Sequence, residues 1–221
     1  MGECEGGLNL KLYTYHRNSA GQRVRIVLNL KGLAYAYVSI LSLPPGEYLR
    51  LNPQGLMPAL EIDGRIVAQS MAIIELLEEL HPDPPVLPRD PIARAEVRAF
   101  ASAICADMHP LNNQRVRRYM EREFGLGEPD ILRWYRHWIA RGFDGLEAIL
   151  ARNPPLPFCF GATPGLADAC LVPQLYNARR FNCDLSAYPR LLAVESACRE
   201  LSAFRLAEPQ NQPDFPPESR I

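Results

Sequence analysis

Apolar positions in the first part of the chain switch between two periods. Leu8, Leu10 and Leu12 recur at every second residue, as a strand with one buried face requires. After a polar turn, Val24, Val27, Leu28 and Lys31 follow helical spacing, and Gly32 supplies a stop. Tyr35 to Ile40 is rich in β-forming residues and predicts a second strand. A strand, a helix and a strand in that order predict a right-handed crossover and a parallel pair. Pro58 to Ile62 and Arg65 to Ala68 flank Asp63-Gly64, the signature of a β-hairpin, and Met71 to Leu80 predicts a closing helix. The order β-α-β, then β-β-α, is thioredoxin-like.

The pattern changes at His81 to Pro91, where HPDPPVLPRDP places five prolines in eleven residues. Proline at that density stops helices and stiffens the chain, so this segment reads as a linker. Beyond it the pattern is helical throughout. Ile92 to Met108 is long and amphipathic and should kink or end at Pro110; a second helix is predicted from about Pro129 to Leu150. Asn153-Pro154-Pro155 breaks the chain, and a third strong helix begins near Gly165. From Pro209 onward the chain is proline-rich and polar and is expected to lie extended on the surface. The fold class is therefore α+β, a thioredoxin-like domain over residues 1–86 followed by an all-α domain over residues 87–221.

Composition narrows the function. With 221 residues and 48% hydrophobic content the chain can bury a core as one large domain or two modest ones. Its 24 basic and 25 acidic side chains give no electrostatic reason to expect nucleic acid or an anionic membrane surface. There is no run of about 18 apolar residues, and MGECEGGLNL is acidic without the apolar core of a secretory signal. Cys4, Cys105, Cys159, Cys170, Cys183 and Cys198 are scattered without a C-x-x-C pair, which fits free thiols in a reducing cytoplasm. All except the exposed-looking Cys4 are expected to be small core fillers. No His, Cys or Asp cluster has metal-ligand spacing, so no metal is expected.

The candidate chemistry starts in the turn Arg17-Asn18-Ser19-Ala20-Gly21-Gln22-Arg23. Ser19 and Gln22 predict a capping box at the start of the first helix. A capping serine can still donate its own hydrogen to an anion outside, and a helix N-terminus lowers the pKa of a thiol placed beside it. The turn has no cysteine, so the thiol would come from a ligand. Arg17 would favour its thiolate and can hold a carboxylate through its planar fork.

Met57-Pro58 starts the third strand. There a proline either protects a sheet edge or, in a thioredoxin-like domain, is cis and leaves the preceding backbone free to pair with a peptide-like ligand. Ser70 is the expected N-cap of the next helix; with Gln69 it could also converge on the carboxylate of an amino-acid moiety. In the helical region, Asp107 to Arg115 is polar for the middle of a core-forming stretch. Arg115 and Arg118 share a helix face, Arg117 and Arg118 read as solvated charges, and Arg179-Arg180 ends another apolar helix. Three arginines converging on one place would point to a substrate with more than one carboxylate.

Taken together, LYTYHRNSAGQRVRIVLNLKG, LNPQGLMPALEIDG, QSMAIIELLEE, DMHPLNN, ADACLVPQLYNARRF and DLSAYPRL resemble the zeta class of glutathione transferases, which includes maleylacetoacetate and maleylpyruvate isomerases. The resemblance covers nearly the whole chain, and DMHPLNNQR is especially similar to the maleylpyruvate branch. It implies a glutathione-transferase C-terminal domain, glutathione as cofactor, a small dicarboxylate as substrate and a cytoplasmic homodimer with neither nucleic-acid nor membrane partners. By position it implies that Met57 pairs its backbone with the tripeptide beside cis-Pro58. Gln69 and Ser70 would hold the γ-glutamyl end, with His109 and Asn113 helping to hold the tripeptide. Arg17, Arg115 and Arg180 would bind substrate carboxylates. Asp168 would be a folding residue whose usual Ser or Thr partner three positions earlier is Gly165 here.

The sequence departs from the family in its turn, usually R-S-S-C-x-x-R. Here the serine positions hold Asn18 and Ser19 and the cysteine position holds Ala20. Activation of the thiol then rests on Ser19, Arg17, the helix dipole and the Asn18 amide, which cannot act as a hydroxyl. Ile40 to Tyr48 also looks shortened. The implied activity is glutathione-dependent cis–trans isomerisation of a maleyl-type dicarboxylate. Two competitors share the binding site: conjugation or dehalogenation of small α-haloacids, and glutathione binding without catalysis.

Overall fold

The computed structural model describes residues 9–216; Leu8 and Cys4 lie outside that range. Strand β1 (Leu10–Thr14) leads into helix α1 (Ser19–Leu30), then β2 (Ala36–Ser39). After a single 3-10 turn and the short helix α2 (Glu47–Leu51) come β3 (Ala59–Ile62), β4 (Arg65–Ala68) and α3 (Ser70–Leu80). The sheet order is β2-β1-β3-β4. β1 pairs parallel with β2 and β3 antiparallel with β4, as the β-α-β order and the Asp63-Gly64 turn predict, and β1 also pairs antiparallel with β3. Both turn residues have positive φ, 48° and 77°, the conformation a tight hairpin demands.

Leu12, Val24, Leu28, Leu60, Ile73 and Leu77 are fully buried and form the core of this unit, each contributing about 1.5–3 kcal/mol by leaving water. Lys31, the C-cap of α1, is buried and satisfied on every side. Its ammonium contacts Glu78 Oε2 at 2.7 Å and donates to the carbonyls of His81 (2.6 Å) and Pro84 (3.0 Å). The start of the proline-rich segment is thereby tied to α1.

The compact units divide differently from residues 1–86 and 87–221: one runs to Pro84 and resumes at Ala203, and the other is Pro85–Ser202. In the second unit, α4 (Pro91–Ser102) begins at Asp90, whose carboxylate accepts from Ile92 N and Ala93 N. It continues as a π-helical turn, Ala103–Met108, and Pro110 follows. Then come α5 (Gln114–Phe124), α6 (Glu128–Ala151), α7 (Leu166–Arg180) and α8 (Pro189–Arg199). Phe100, Phe143, Leu146, Leu171, Leu175 and Leu191 fill its core. Cys159, Cys170 and Cys198 are buried, Cys105 and Cys183 partly exposed, and these five are free thiols.

Asp168 anchors the start of α7 by accepting from Cys159 N and Gly165 N, both at 2.8 Å. Gly165 is the N-cap and has no side chain to contribute. The local reason is the Val86 carbonyl, 2.7 Å from where a Cβ would stand.

The chain returns to the first unit through α9 (Ser202–Leu206) and a 3-10 turn at Pro209–Asn211. Over residues 209–216 the expected extended surface tail is not what forms. Gln212 and Phe215 are buried, and Asp214 accepts from Tyr37 Oη at 2.7 Å and Ser39 Oγ at 2.6 Å. A polar composition reads as solvated, but here the polar groups find partners on β2.

Candidate functional site

Sheet register assembles the site. Tyr13 opposes Ala59, Ala59 opposes Ala68, and Thr14 lies beside Ser39. The end of β1, the start of β3 and the end of β4 therefore share one end of the sheet. The turn before α1, the Met57-Pro58 pair and the Gln69-Ser70 pair are gathered there.

In the turn, the helix cap is Asn18 and not Ser19. Asn18 has extended φ/ψ, and its side-chain oxygen accepts from Gly21 N at 2.5 Å. The expected Ser19/Gln22 capping box therefore does not form; Ser19 is the first helical residue, buried and engaged. Adjacent Asn and Ser are equally good caps on paper. The backbone decides between them, extended at Asn18 and helical from Ser19, and the Asn18 cap requires glycine at position 21, where a Cβ would stand 2.7 Å from Asn18 Oδ1. Oδ1 makes the cap, so the Asn18 amide nitrogen takes no part in it. Arg17 is partly exposed; its Nε is buried without a protein partner, and its guanidinium lies 5.7 Å from the centroid of Phe215.

Met57-Pro58 is a cis peptide. Among the described residues, no hydrogen bond engages the Met57 backbone, while its side chain packs on Tyr13, Tyr48 and Ala59. At α3 the cap is again one residue earlier than expected. Gln69 is the N-cap, with φ 73° and no side-chain capping bond, and its amide donates to Gln54 Oε1 at 2.6 Å. Ser70 is the first residue of α3, buried, and its Oγ accepts from Arg23 Nη1 at 3.3 Å. Arg23 is itself buried, and its Nε and Nη2 have no protein partner. Its position in the middle of an apolar helix was the available signal, a cation where the period calls for a core residue.

In the second unit, His109 follows the π-helical turn, its N–H donating to Ile104 O at 2.8 Å. Asn113 caps α5 by accepting from Arg115 N at 3.0 Å. Arg115 is exposed near the start of that helix, and Arg180 is exposed at the end of α7. Arg117, expected to be a solvated charge, is instead the better packed. It lies 4.7 Å from the Phe181 ring and 5.8 Å from Tyr135, which stack on each other at 3.9 Å. Arg180 lies 5.6 Å from the same Phe181 ring. Among the described ring contacts, Arg117 and Arg180 thus share one aromatic, and Arg115 does not join them. Arg179 is taken up in an ion pair with Glu195. Among the described residues no group of three or more His, Cys, Asp or Glu could hold a metal, and no helix is long and apolar enough to cross a membrane.

This architecture matches known proteins along most of its length. Residues 12–85 match the glutathione S-transferase N-terminal domain, and residues 132–194 match the C-terminal domain. The chain belongs to the glutathione S-transferase family, in its zeta class. A maleylpyruvate isomerase from Ralstonia sp is 47% identical over 211 residues, covering 93% of this chain and 99% of that protein. The holo structure of a maleylpyruvate isomerase, described as a bacterial zeta-class glutathione S-transferase, superposes with a TM-score of 0.89 at 46% identity, covering 93% of this chain and all of the other. A maleylacetoacetate isomerase from Anaeromyxobacter dehalogenans, solved with dicarboxyethyl glutathione and citrate in its active site, gives 0.85 at 42% identity, covering 98% of each chain.

Proposed function

We propose that the protein is a glutathione-dependent isomerase that converts a maleyl-type dicarboxylate, maleylpyruvate or maleylacetoacetate, to its fumaryl isomer. The observation that carries this reading is the gathering of three ligand-facing features at one end of the sheet. The turn at Arg17-Asn18, the unengaged Met57 backbone beside cis-Pro58 and the Gln69-Ser70 helix start lie at the same end of the sheet. They fit glutathione chemically: an extended peptide can pair with Met57, and the buried Ser70 hydroxyl, with Arg23 behind it, suits a carboxylate. Bound glutathione would supply a thiolate that adds to the maleyl double bond, and after rotation about the resulting single bond its elimination re-forms the double bond as the fumaryl isomer.

The residues around the thiol stabilise negative charge in four ways. The N-terminus of α1 contributes partial positive charge, Arg17 a full one, and the Asn18 amide a donor not used in the cap. Ser19 adds its hydroxyl at the first helical position. Arg17 also orients a substrate carboxylate and stabilises the enolate charge that develops as the double bond is attacked. To the second unit the proposal assigns His109 and Asn113 as contacts to the tripeptide, and Arg115 and Arg180 as carboxylate ligands. We place the enzyme in the cytoplasm as a homodimer.

The test is a coupled assay with maleylpyruvate and with maleylacetoacetate, each with and without glutathione. Turnover of at least one, dependent on catalytic glutathione that is recovered unchanged, is expected; no turnover of either would overturn the proposal.

A further inference from the structure

The last turn of the first unit is clamped onto the turn that carries Arg17. His16 N donates to Asp214 Oδ2 at 3.2 Å, and His16 O accepts from Arg25 Nη2 at 3.2 Å. The same buried guanidinium donates to Ala207 O from Nε (3.3 Å) and Nη2 (2.9 Å), so both backbone groups of His16 are held by the C-terminal strap or by its clamp. Asp214 is fixed in turn by Tyr37 and Ser39. Phe215, only 7% exposed, meets the His16 ring edge-on at 5.3 Å and lies 5.7 Å from the Arg17 guanidinium.

We propose that Asp214 and Phe215 are positioning residues for Arg17. Asp214 fixes the backbone of the turn through His16, and Phe215 limits the guanidinium to one side of its ring. An arginine side chain is long and rich in rotamers, and ordering it before the substrate arrives removes part of the cost of binding. Neither residue touches the reacting atoms. The proposal rests on the reading of Arg17 as a substrate-carboxylate ligand.

The test uses the full chain with Phe215→Ala, Phe215→Tyr and Asp214→Ala. At saturating glutathione, Phe215→Ala should raise KM for maleylpyruvate about tenfold, with kcat changed much less. Phe215→Tyr keeps a ring and should restore KM. The glutathione Kd, measured by titration calorimetry, should stay within about twofold because Met57, Gln69 and Ser70 are untouched. Hydrogen exchange over residues 15–19 should speed up in Asp214→Ala while the interior of α1 stays protected. Unchanged exchange over the turn would overturn the proposal. So would an unchanged KM in Phe215→Ala, or equal losses of substrate and glutathione affinity that Phe215→Tyr does not rescue. Absence of turnover in the wild type would instead remove the isomerase reading, and the exchange comparison, which needs no substrate, then decides whether the strap orders the turn.

Discussion

Arg23 Nη1 donates to Ser70 Oγ across 3.3 Å, joining the middle of α1 to the first residue of α3, with 2% and 6% of the two residues exposed. The hydroxyl accepts from a cation, so its hydrogen remains to be donated to an anion at the helix start. Ser70→Ala removes one hydrogen bond to a charged group, about 1.5–3 kcal/mol, so the glutathione Kd should rise about 10- to 150-fold. Turnover at saturating glutathione should remain close to wild type. Titration calorimetry reads the first and steady-state kinetics the second; an unchanged Kd would remove Ser70 from the site.

The second prediction concerns the cap of α1. Asn18→Ala leaves Gly21 N without its acceptor and should cost about 1 kcal/mol, lowering Tm by about 2–4 °C in a chain of this size. Gly21→Ala should cost more, because its Cβ collides with Thr14 and displaces the Asn18 oxygen as well. Asn18→Ser should restore most of the loss. A thermal melt in which Gly21→Ala is the mildest of the three would contradict this packing account.

The same turn shows how far the sequence reaches. Period-two leucines, the Asp63-Gly64 hairpin, the helix ending at Gly32 and the proline-dense segment are local signals, and each produced the element it predicts. Both helix caps fell one residue earlier than the sequence suggests, since Asn18-Ser19 and Gln69-Ser70 are each ambiguous until the backbone conformation chooses. Gln69 caps at φ 73°, a conformation glutamine's own preferences do not advertise. The placement of Asp214 depends on Tyr37 and Ser39, well over a hundred positions away, and that of Arg117 on Phe181. Neither partner leaves a mark near the residue it satisfies. Elements carried by local signals were legible; contacts made by distant pairing were not.

A third prediction follows from His16. Burial pushes its imidazole below the usual pKa, Asp214 at 3.6 Å pulls it up, and Arg17 and Arg25 push it down again, for a net lowering. The neutral ring is therefore favoured in the folded state. As pH falls through about 6.5 the unfolded chain binds the proton first, so stability declines until the lowered folded pKa is reached. Asp214 acts at lower pH. Burial raises its carboxyl, but the hydrogen bonds from Ser39, Tyr37 and His16 N outweigh that and hold it below the usual range. Its contribution is present above the ordinary carboxylate pKa and is lost as pH falls through the depressed value. His16→Phe keeps a ring against Phe215 and removes the first titration. Its Tm should fall less than the wild type's between about pH 7 and pH 5; parallel curves would show that His16 does not set the slope.

The start of α7 gives a prediction opposite to the one that helix-capping preferences suggest. Serine is a better N-cap than glycine in isolation by a few tenths of a kcal/mol, so Gly165→Ser would ordinarily stabilise. Here the Cβ would stand 2.7 Å from Val86 O, the carbonyl that accepts from Leu166 N at 2.8 Å. Relieving the contact must lengthen that bond or move the backbone before α4, and overpacking of this kind costs about 1–3 kcal/mol. The cap is in any case already supplied from the other side by Asp168, which accepts from Gly165 N and Cys159 N. Gly165→Ser should therefore lower Tm by several degrees, about 2–4 °C per kcal/mol. Asp168→Ala should lower it further, because it strands two N–H groups beside a side chain only 2% exposed. Asp168→Asn keeps one acceptor oxygen and should fall between the two alanine and wild-type limits. A Gly165→Ser chain that melts above wild type would show that the Val86 segment yields freely, and that the glycine is not required by the close approach.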